Sequence, residues 1–173
     1  MLVFDACMRA GVSVSMDVSL GVADRRSKDA EEIEAMRKAT RITESAIRMA
    51  CETIARATAN ASGELEHGGE ALTSERVKAM ITAHLAERGA FGEHHIVAGG
   101  AEGGDCHNGG SGVLRTSEPV IIDVFPKHLE SGYHGDCTRM VVHGEIPDEV
   151  RKMHAAVAEA KASAIEATRA GVT

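Results

Sequence analysis

The sequence predicts an α+β fold in which helices cover an antiparallel sheet. Two long segments with helical periodicity come first, and the β-branched apolar segments are concentrated between residues 94 and 143, ahead of a third helical segment. The last two of these apolar segments are joined by a short polar turn, as in a hairpin. Helices and strands that are grouped along the chain, and do not alternate, are typical of α+β proteins.

The first part of the chain predicts two short elements and one long helix. Residues 1–10 favour a short helix that ends at Gly11, and the apolar–polar alternation of Val12–Met16 predicts a strand. Ser27 precedes acidic residues as a helix cap does. One amphipathic helix is then predicted ahead of Gly63. Its apolar face consists of Ile33, Met36, Ala39, Thr43, Ala46, Ile47, Ala50 and Ile54.

A loop over residues 60–69 is predicted next, followed by a second helix that Thr73 caps and Gly89 ends. The buried face of this helix is expected to consist of Val77, Met80, Ile81, His84 and Leu85.

The strands follow in order. His94–Ala98 predicts a short strand, and a Gly-rich segment separates it from Pro119–Phe125, a strand expected to be buried on both faces. Tyr133–His143 predicts the next strand, and the turn before it favours a hairpin. Pro147 suits the first position of a third helix, which ends near residue 171.

Composition excludes several classes of function. The net charge of −7 is spread along the chain without a basic stripe, which argues against a nucleic-acid partner. No apolar run approaches the roughly 20 residues that span a bilayer, and the amino terminus lacks a signal-peptide pattern, so we expect a cytoplasmic protein with no membrane partner. The four scattered cysteines are expected to be reduced.

Asp123 is an acidic residue inside an apolar strand, between Ile122 and Val124. A carboxylate in such a position is unfavourable unless it is paired, protonated or bound to a cation. Taken alone, a carboxylate bonded to backbone amides explains it equally well.

Asp136 lies in the next strand, where a hairpin would let the two carboxylates face each other. Neighbouring ionised carboxylates repel, and a divalent cation relieves the repulsion. Arg139 could neutralise them instead, but side chains alternate along a strand, so Asp136 and Arg139 should point to opposite faces. The pattern therefore favours a metal site.

His107 lies in the Gly-rich segment. A phosphate-binding loop is disfavoured, because Glu102 and Asp105 would repel a phosphate and the loop has no lysine. A histidine in such a loop can bind a substrate carbonyl or shuttle a proton. A solvent-exposed loop histidine is the alternative.

Two segments of the chain resemble the first two metal-ligand strands of the M24 metallopeptidases, which include Xaa-Pro aminopeptidases, Xaa-Pro dipeptidases and methionine aminopeptidases. They are VIIDVFP (residues 120–126) and GYHGDCTR (residues 132–139). The 12 residues between Asp123 and Asp136 exceed the interval common in the family, and the Phe-Pro pair resembles that of an Xaa-Pro peptidase-like subgroup. Residues 26–33 resemble the start of the pita-bread domain that follows a creatinase-type N-terminal domain. Residues 96–108 resemble the loop that carries the family's substrate-side histidine.

The resemblance implies the first half of a pita-bread fold and a metallo-exopeptidase that hydrolyses N-terminal or Xaa-Pro peptide bonds. It implies that Asp123 is a bidentate ligand to one metal ion and that Asp136 bridges two. His107 would hydrogen-bond the peptide substrate or the tetrahedral intermediate. The two divalent ions, manganese, cobalt or zinc, would activate a water for attack on the peptide carbonyl.

The family completes its site with a later histidine and two later glutamates, and no such motif is found here. We therefore expect residues 1–25 to be the tail of a preceding domain or a linker, and residues 26–173 to be the first half of the catalytic domain. We expect this chain to be inactive alone, to bind metal weakly or not at all, to need the C-terminal half as a partner, and to form a homodimer. The alternatives are a non-catalytic pita-bread module that binds peptide or protein, and a creatinase-type amidinohydrolase, which needs no metal.

Overall fold

The computed structural model describes residues 2–172 of the chain. The helices are α1 (Leu2–Arg9), α2 (Val22–Arg26), α3 (Ala30–Ala55), α4 (Ser74–Ala86) and α5 (Asp148–Ala167), and a 3-10 helix spans Gly100–Gly104. The strands are β1 (Thr58–Ala59), β2 (Leu65–His67), β3 (Glu70–Ala71), β4 (Ala90–Phe91), β5 (Ile96–Gly99), β6 (Pro119–Val124), β7 (Lys127–His128) and β8 (Cys137–Val142). Among these residues, no helix combines the length and the apolar character needed to cross a membrane.

The chain divides into two compact units, with the boundary between Glu34 and Ala35. The first unit contains α1, which the sequence predicted, and α2, which it did not. The predicted strand at Val12–Met16 is wrong, because these residues have neither helix nor strand structure. An alternating pattern yields a strand only where a neighbouring backbone pairs with it, and no described segment does so here.

Helix α3 begins with a capping box formed by Asp29 and Glu32, two residues beyond the predicted cap at Ser27. The backbone N–H of Glu32 donates to Asp29 Oδ1 at 2.9 Å, and the backbone N–H of Asp29 donates to Glu32 Oε2 at 2.9 Å. This reciprocal pair satisfies two backbone donors of the first turn. Ser27 instead follows the last residue of α2.

The predicted apolar face of α3 is confirmed from Ala39 onwards. Its buried residues are Ala39, Thr43, Ala46, Ile47, Ala50 and Ile54, whereas Ile33 and Met36 are exposed. The cap of α4 is also confirmed, since the Arg76 N–H donates to Thr73 Oγ1 at 3.2 Å. The core face of α4 contains Val77, Ile81 and Leu85.

Residues 58–71 form a small antiparallel meander in the order β1-β2-β3, although much of this stretch was predicted to be a loop. The three strands have only two or three residues each, too few to show an alternating pattern in the sequence. Leu65 of β2 is fully buried, and its N–H donates to the carbonyl of Leu114.

The main sheet is antiparallel in the order β5-β6-β8, which confirms the predicted hairpin. Ile122 at its centre lies opposite Val97 on one side and Arg139 on the other. The prediction that β6 is buried on both faces is only half right. Val120, Ile122 and Val124 are fully buried, and the alternate residues Pro119, Ile121 and Asp123 are partly exposed.

Helix α5 follows Pro147, which is its N-terminal cap and not its first helical residue. None of its residues is buried. Met153, Val157 and Ile165 are exposed apolar side chains on this helix. Strand β8, on the other side of the connection, forms the edge of the main sheet among the described residues.

Candidate functional site

Asp123 and Asp136 lie on the same face of the β6–β8 hairpin. Asp123 pairs with Thr138, and the register continues to Lys127, which bridges His134. Asp136 therefore lies opposite Phe125, two residues from Thr138. In an antiparallel pair, this makes the two aspartates diagonal neighbours, with Cα atoms about 7–8 Å apart.

The Asp123 carboxylate is half-buried and is held by its cross-strand partner. Thr138 Oγ1 donates to Asp123 Oδ1 at 2.7 Å. Among the described residues, no lysine or arginine forms an ion pair with Asp123 or Asp136. Two carboxylates on one face without a neutralising side chain fit the requirements of a divalent cation.

Arg139 is on the opposite side of the sheet, as the alternation of side chains predicted. It lies across from Ile122, whose side chain is in the core. With Cys51 and Cys137 it lines a cavity beside α3. Arg139 therefore does not neutralise the two aspartates.

Gly135 sets the position of Asp136 relative to α3. A Cβ atom at Gly135 would overlap Thr43 Oγ1 and would lie 2.7 Å from the carbonyl oxygen of Ala39. The missing side chain allows the hairpin to lie directly against the helix. The Gly135 N–H also donates to the carbonyl of Pro126 at 3.0 Å, which fixes the register next to Asp136.

His107 lies in a loop that is ordered by its own polar groups. The His107 N–H donates to Asp105 Oδ1 at 2.9 Å, and the Gly110 N–H donates to Asn108 Oδ1 at 2.9 Å. Farther along, the hydroxyl of Ser111 donates to Glu102 at 2.9 Å. The acidic residues that argued against a phosphate loop therefore serve as acceptors within the loop.

The same loop is fastened to β5 and α4. The Val97 N–H donates to the carbonyl of Gly109 at 3.1 Å. Lys78 Nζ donates to the carbonyls of Gly109 and Gly110 at 3.0 and 2.8 Å. Gly110 has a φ of +76°, and a Cβ there would overlap the carbonyl oxygen of Val97. The backbone of this loop can approach β5 so closely only because residue 110 is a glycine.

His107 opens onto a cleft of about 450 Å³ that adjoins the two aspartates. Ile96, which pairs with Asp123, lines the cleft, as does Phe125, which lies opposite Asp136. The remaining lining residues are Lys78, Glu93, His94, His95 and Gly109. No hydrogen bond joins His107 to either aspartate in the described part of the chain, so the three residues share a region without direct contact.

A second group of possible metal ligands was not predicted from the sequence. Asp105, Cys106 and His107 each offer one ligand atom, and these atoms lie within 4.8 Å of one another. All three residues are exposed. Consecutive ligand-type residues in a Gly-rich segment are the only sequence signal for this cluster.

His95 is a buried residue of the cleft wall that the sequence did not indicate as a site residue. Its side chain is 5% exposed, and neither ring nitrogen has a hydrogen-bond partner in the described part of the chain. Burial lowers the pKa of His95, and the neighbouring charges of His94 and Lys78 lower it further. The imidazole is therefore neutral at pH 7.

The histidine pKa values predict that the protein is less stable in mild acid. Burial also lowers the pKa of His84, with a smaller contribution from Arg88. The folded-state pKa values of both histidines lie below that of the unfolded chain, about 6.5, so the unfolded chain binds protons first. We expect the free energy of unfolding to fall as the pH drops from about 7 to 5, in urea denaturation at a series of pH values. His95→Phe should reduce this slope, and an unchanged slope would contradict the assignment.

Comparison with known proteins identifies the family to which this chain belongs. The profile of Metallopeptidase family M24 matches residues 34–173. An Xaa-Pro dipeptidase from Pyrococcus furiosus is 29% identical over 147 residues, which cover 84% of this chain and 38% of that protein. The structure of an X-Pro aminopeptidase from Thermotoga maritima matches with a TM-score of 0.75 and 27% identity, over 99% of this chain and 46% of that one. The prolidase from Pyrococcus horikoshii matches with a TM-score of 0.78 and 22% identity, again over 99% and 46%.

The chain thus spans less than half the length of these relatives. Its mixed α/β architecture, with an antiparallel sheet and covering helices, corresponds to part of the pita-bread fold. The family profile, the related sequence and the shared fold all indicate the same family. The chain belongs to metallopeptidase family M24.

Proposed function

We propose that this chain supplies part of the active site of a peptidase that uses two divalent metal ions to hydrolyse Xaa-Pro peptide bonds. Asp123 and Asp136 would bind the metal ions, and His107 would bind the substrate. The observation that carries the proposal is the pair of carboxylates on one sheet face, neither of which forms an ion pair with a lysine or arginine of the described residues. The substrate class is proposed because two relatives are an Xaa-Pro dipeptidase and an X-Pro aminopeptidase.

The residues present fit such a metal site. Carboxylate oxygens suit manganese well, and a site that also contains imidazole accepts cobalt or zinc. Thr138 restrains the Asp123 side chain through Oδ1 and leaves Oδ2 available as a ligand atom. The chemistry that divalent ions supply in a peptidase is polarisation of the scissile carbonyl and activation of a water molecule.

In this proposal, His107 would hydrogen-bond an oxygen atom of the substrate. Its loop is tied to α4 by Lys78 and to β5 by Val97, so the imidazole is carried on an ordered backbone beside the cleft. A pre-positioned donor of this kind loses little conformational entropy when the substrate binds. Ile96 and Phe125 give the same cleft an apolar wall that would exclude water around a prolyl ring.

We further propose that the remaining metal ligands come from the polypeptide that corresponds to the rest of the relatives' chains. In the described part of the chain, β8 forms an edge of the main sheet and α5 has no buried residue, and these two elements provide a surface for it. A groove of about 420 Å³ between them is lined by Met140, Val142, Ile146 and Val150, with Arg151 and His154 at its polar side. An unpaired strand edge beside an apolar groove is a surface that another chain segment can complete. A second copy of this chain is the alternative occupant, and the predicted homodimer stays a prediction.

A chimera tests the proposed function. The chain is joined to the part of the Thermotoga maritima X-Pro aminopeptidase that lies beyond the matched region, and folding is verified by thermal denaturation. With Mn²⁺ we expect the folded chimera to hydrolyse Ala-Pro peptides, and the chimera with Asp123→Asn and the present chain alone to be inactive. Hydrolysis that survives Asp123→Asn would contradict the proposal, and hydrolysis of creatine without added metal would favour an amidinohydrolase.

A further inference from the structure

We propose that His95 is a substrate-binding residue that hydrogen-bonds an oxygen atom of the peptide at the inner wall of the cleft. The inference rests on the proposed peptidase function and names a further residue of the same site. Its basis is the juxtaposition of a buried, unpartnered imidazole with His107 in one cleft.

The two ring nitrogens of His95 lower the stability of the folded state, because they are buried without hydrogen-bond partners among the described residues. Burying a polar group without a partner destabilises a protein, and native structures rarely leave such groups unsatisfied. His128 provides the comparison within the same chain, since it is equally buried at 4% exposure, but its Nδ1 is 2.9 Å from Ser131 Oγ. His143 likewise has partners at both ring nitrogens, Thr116 Oγ1 and the carbonyl of Ala57. His95 differs from both because it faces a cleft.

The polar edge of the His95 ring is covered by a glycine. A Cβ at Gly92 would lie 2.7 Å from Cε1 and 3.5 Å from each ring nitrogen. Residues 92–95 connect β4 to β5 and form neither helix nor strand. Ligand binding at His95 requires this connection to move and uncover the nitrogens, and Gly92 has no side chain that would block the approach of a ligand.

The surroundings of His95 define the chemistry of the ligand. A neutral imidazole carries one N–H donor, and carbonyl and carboxylate oxygens are its acceptors. Burial lowers the pKa of His95, and His94 and Lys78 lower it further, so the ring is a neutral donor before a ligand binds. The Lys78 ammonium in the same cleft favours an anionic or polarised oxygen on the ligand. Ile96 and Phe125 offer apolar contact in the same cleft. A prolyl residue with its carbonyl or terminal carboxylate combines these features.

The test compares His95→Phe with the wild-type chain in metal-free buffer, where peptide binding is measured separately from metal binding. The probes are the dipeptide Ala-Pro and its C-terminal amide, and dissociation constants are obtained by NMR titration. We expect His95→Phe to unfold at a higher temperature, since the unsatisfied nitrogens are gone, and to bind Ala-Pro about tenfold more weakly. If the acceptor is the terminal carboxylate, the wild type binds the amide weakly, and His95→Phe weakens amide binding little further. If the acceptor is a carbonyl, both probes lose affinity alike.

The matched control is His128→Phe, which removes an equally buried histidine whose Nδ1 has a partner. It should unfold at a lower temperature and should bind Ala-Pro as tightly as the wild type. The proposal is overturned if the wild type binds neither probe, if His95→Phe binds both as the wild type does, or if His95→Phe is destabilised as His128→Phe is. Mn²⁺ affinity, measured on the same variants, concerns only the metal site and should be unchanged by His95→Phe.

Discussion

Gly110→Ala is expected to lower the free energy of unfolding by about 3 kcal/mol, through backbone strain and steric overlap together. Gly110 has a φ of +76°, and a Cβ there would overlap the carbonyl oxygen of Val97 in strand β5. The loop must then move away from β5, which breaks the hydrogen bond from Val97 to Gly109. Urea denaturation measures the loss of stability, and Ala-Pro titration measures the displacement of His107.

Two glycines of the same loop separate the two contributions. Gly112 has a φ of +72° but no atom near its Cβ position, so Gly112→Ala should cost only the backbone term, about 1 kcal/mol. Gly109 has no positive φ and only Lys78 Nζ nearby, at 3.9 Å, so Gly109→Ala should stay within about 0.5 kcal/mol of the wild type. A cost for Gly110→Ala no larger than that for Gly112→Ala would show that the close approach to β5 is not needed.

Asp123→Asn and Asp136→Asn are each expected to weaken Mn²⁺ binding by more than about tenfold, because each removes a negative charge from a hard oxygen-ligand site. The wild-type chain should itself bind weakly, with a dissociation constant on the order of 10⁻⁴ to 10⁻³ M, since two carboxylates are few ligands for such an ion. Free Mn²⁺, measured by electron paramagnetic resonance, gives both affinities. The substitutions keep the shape of the side chains, so thermal unfolding should change little.

Asp105→Asn is the matched control for these variants. It removes a carboxylate from the exposed cluster with Cys106 and His107, and it should leave Mn²⁺ binding unchanged. If Asp105→Asn lowers the affinity as much as Asp136→Asn does, the ion is bound by the loop and not by the hairpin.

The hairpin and its aspartates were predictable because their signals are local. An acidic residue inside a β-branched run stands out, and alternation along β8 correctly placed Arg139 on the other face from Asp136. The 12 residues between Asp123 and Asp136 form an extension of the hairpin beyond β6 and β8. Strand β7 pairs with β4, and Lys127 bridges His134 in the same register as β6 and β8.

Features that depend on distant partners were missed. Val12–Met16 alternates like a strand but has no described strand beside it, whereas the very short β1, β2 and β3 pair despite weak local patterns. His95 was predicted only to be part of the strand His94–Ala98, because nothing local reveals that Gly92 covers its ring or that its nitrogens lack partners among the described residues. Sequence patterns indicate which residues lie on the same face of a helix or strand. The burial of a polar atom depends instead on residues from the whole fold.

The location of a bound ion tests the central claim most directly. Mn²⁺ is added in small amounts to the ¹⁵N-labelled wild-type chain, and paramagnetic broadening of each backbone amide signal is measured. The account predicts that broadening is strongest at Ile122–Val124 and Gly135–Thr138, weaker in the cleft around Ile96, and absent in the variant with both Asp123→Asn and Asp136→Asn. Broadening centred on Asp105–His107, with the β6–β8 hairpin unaffected, would contradict it.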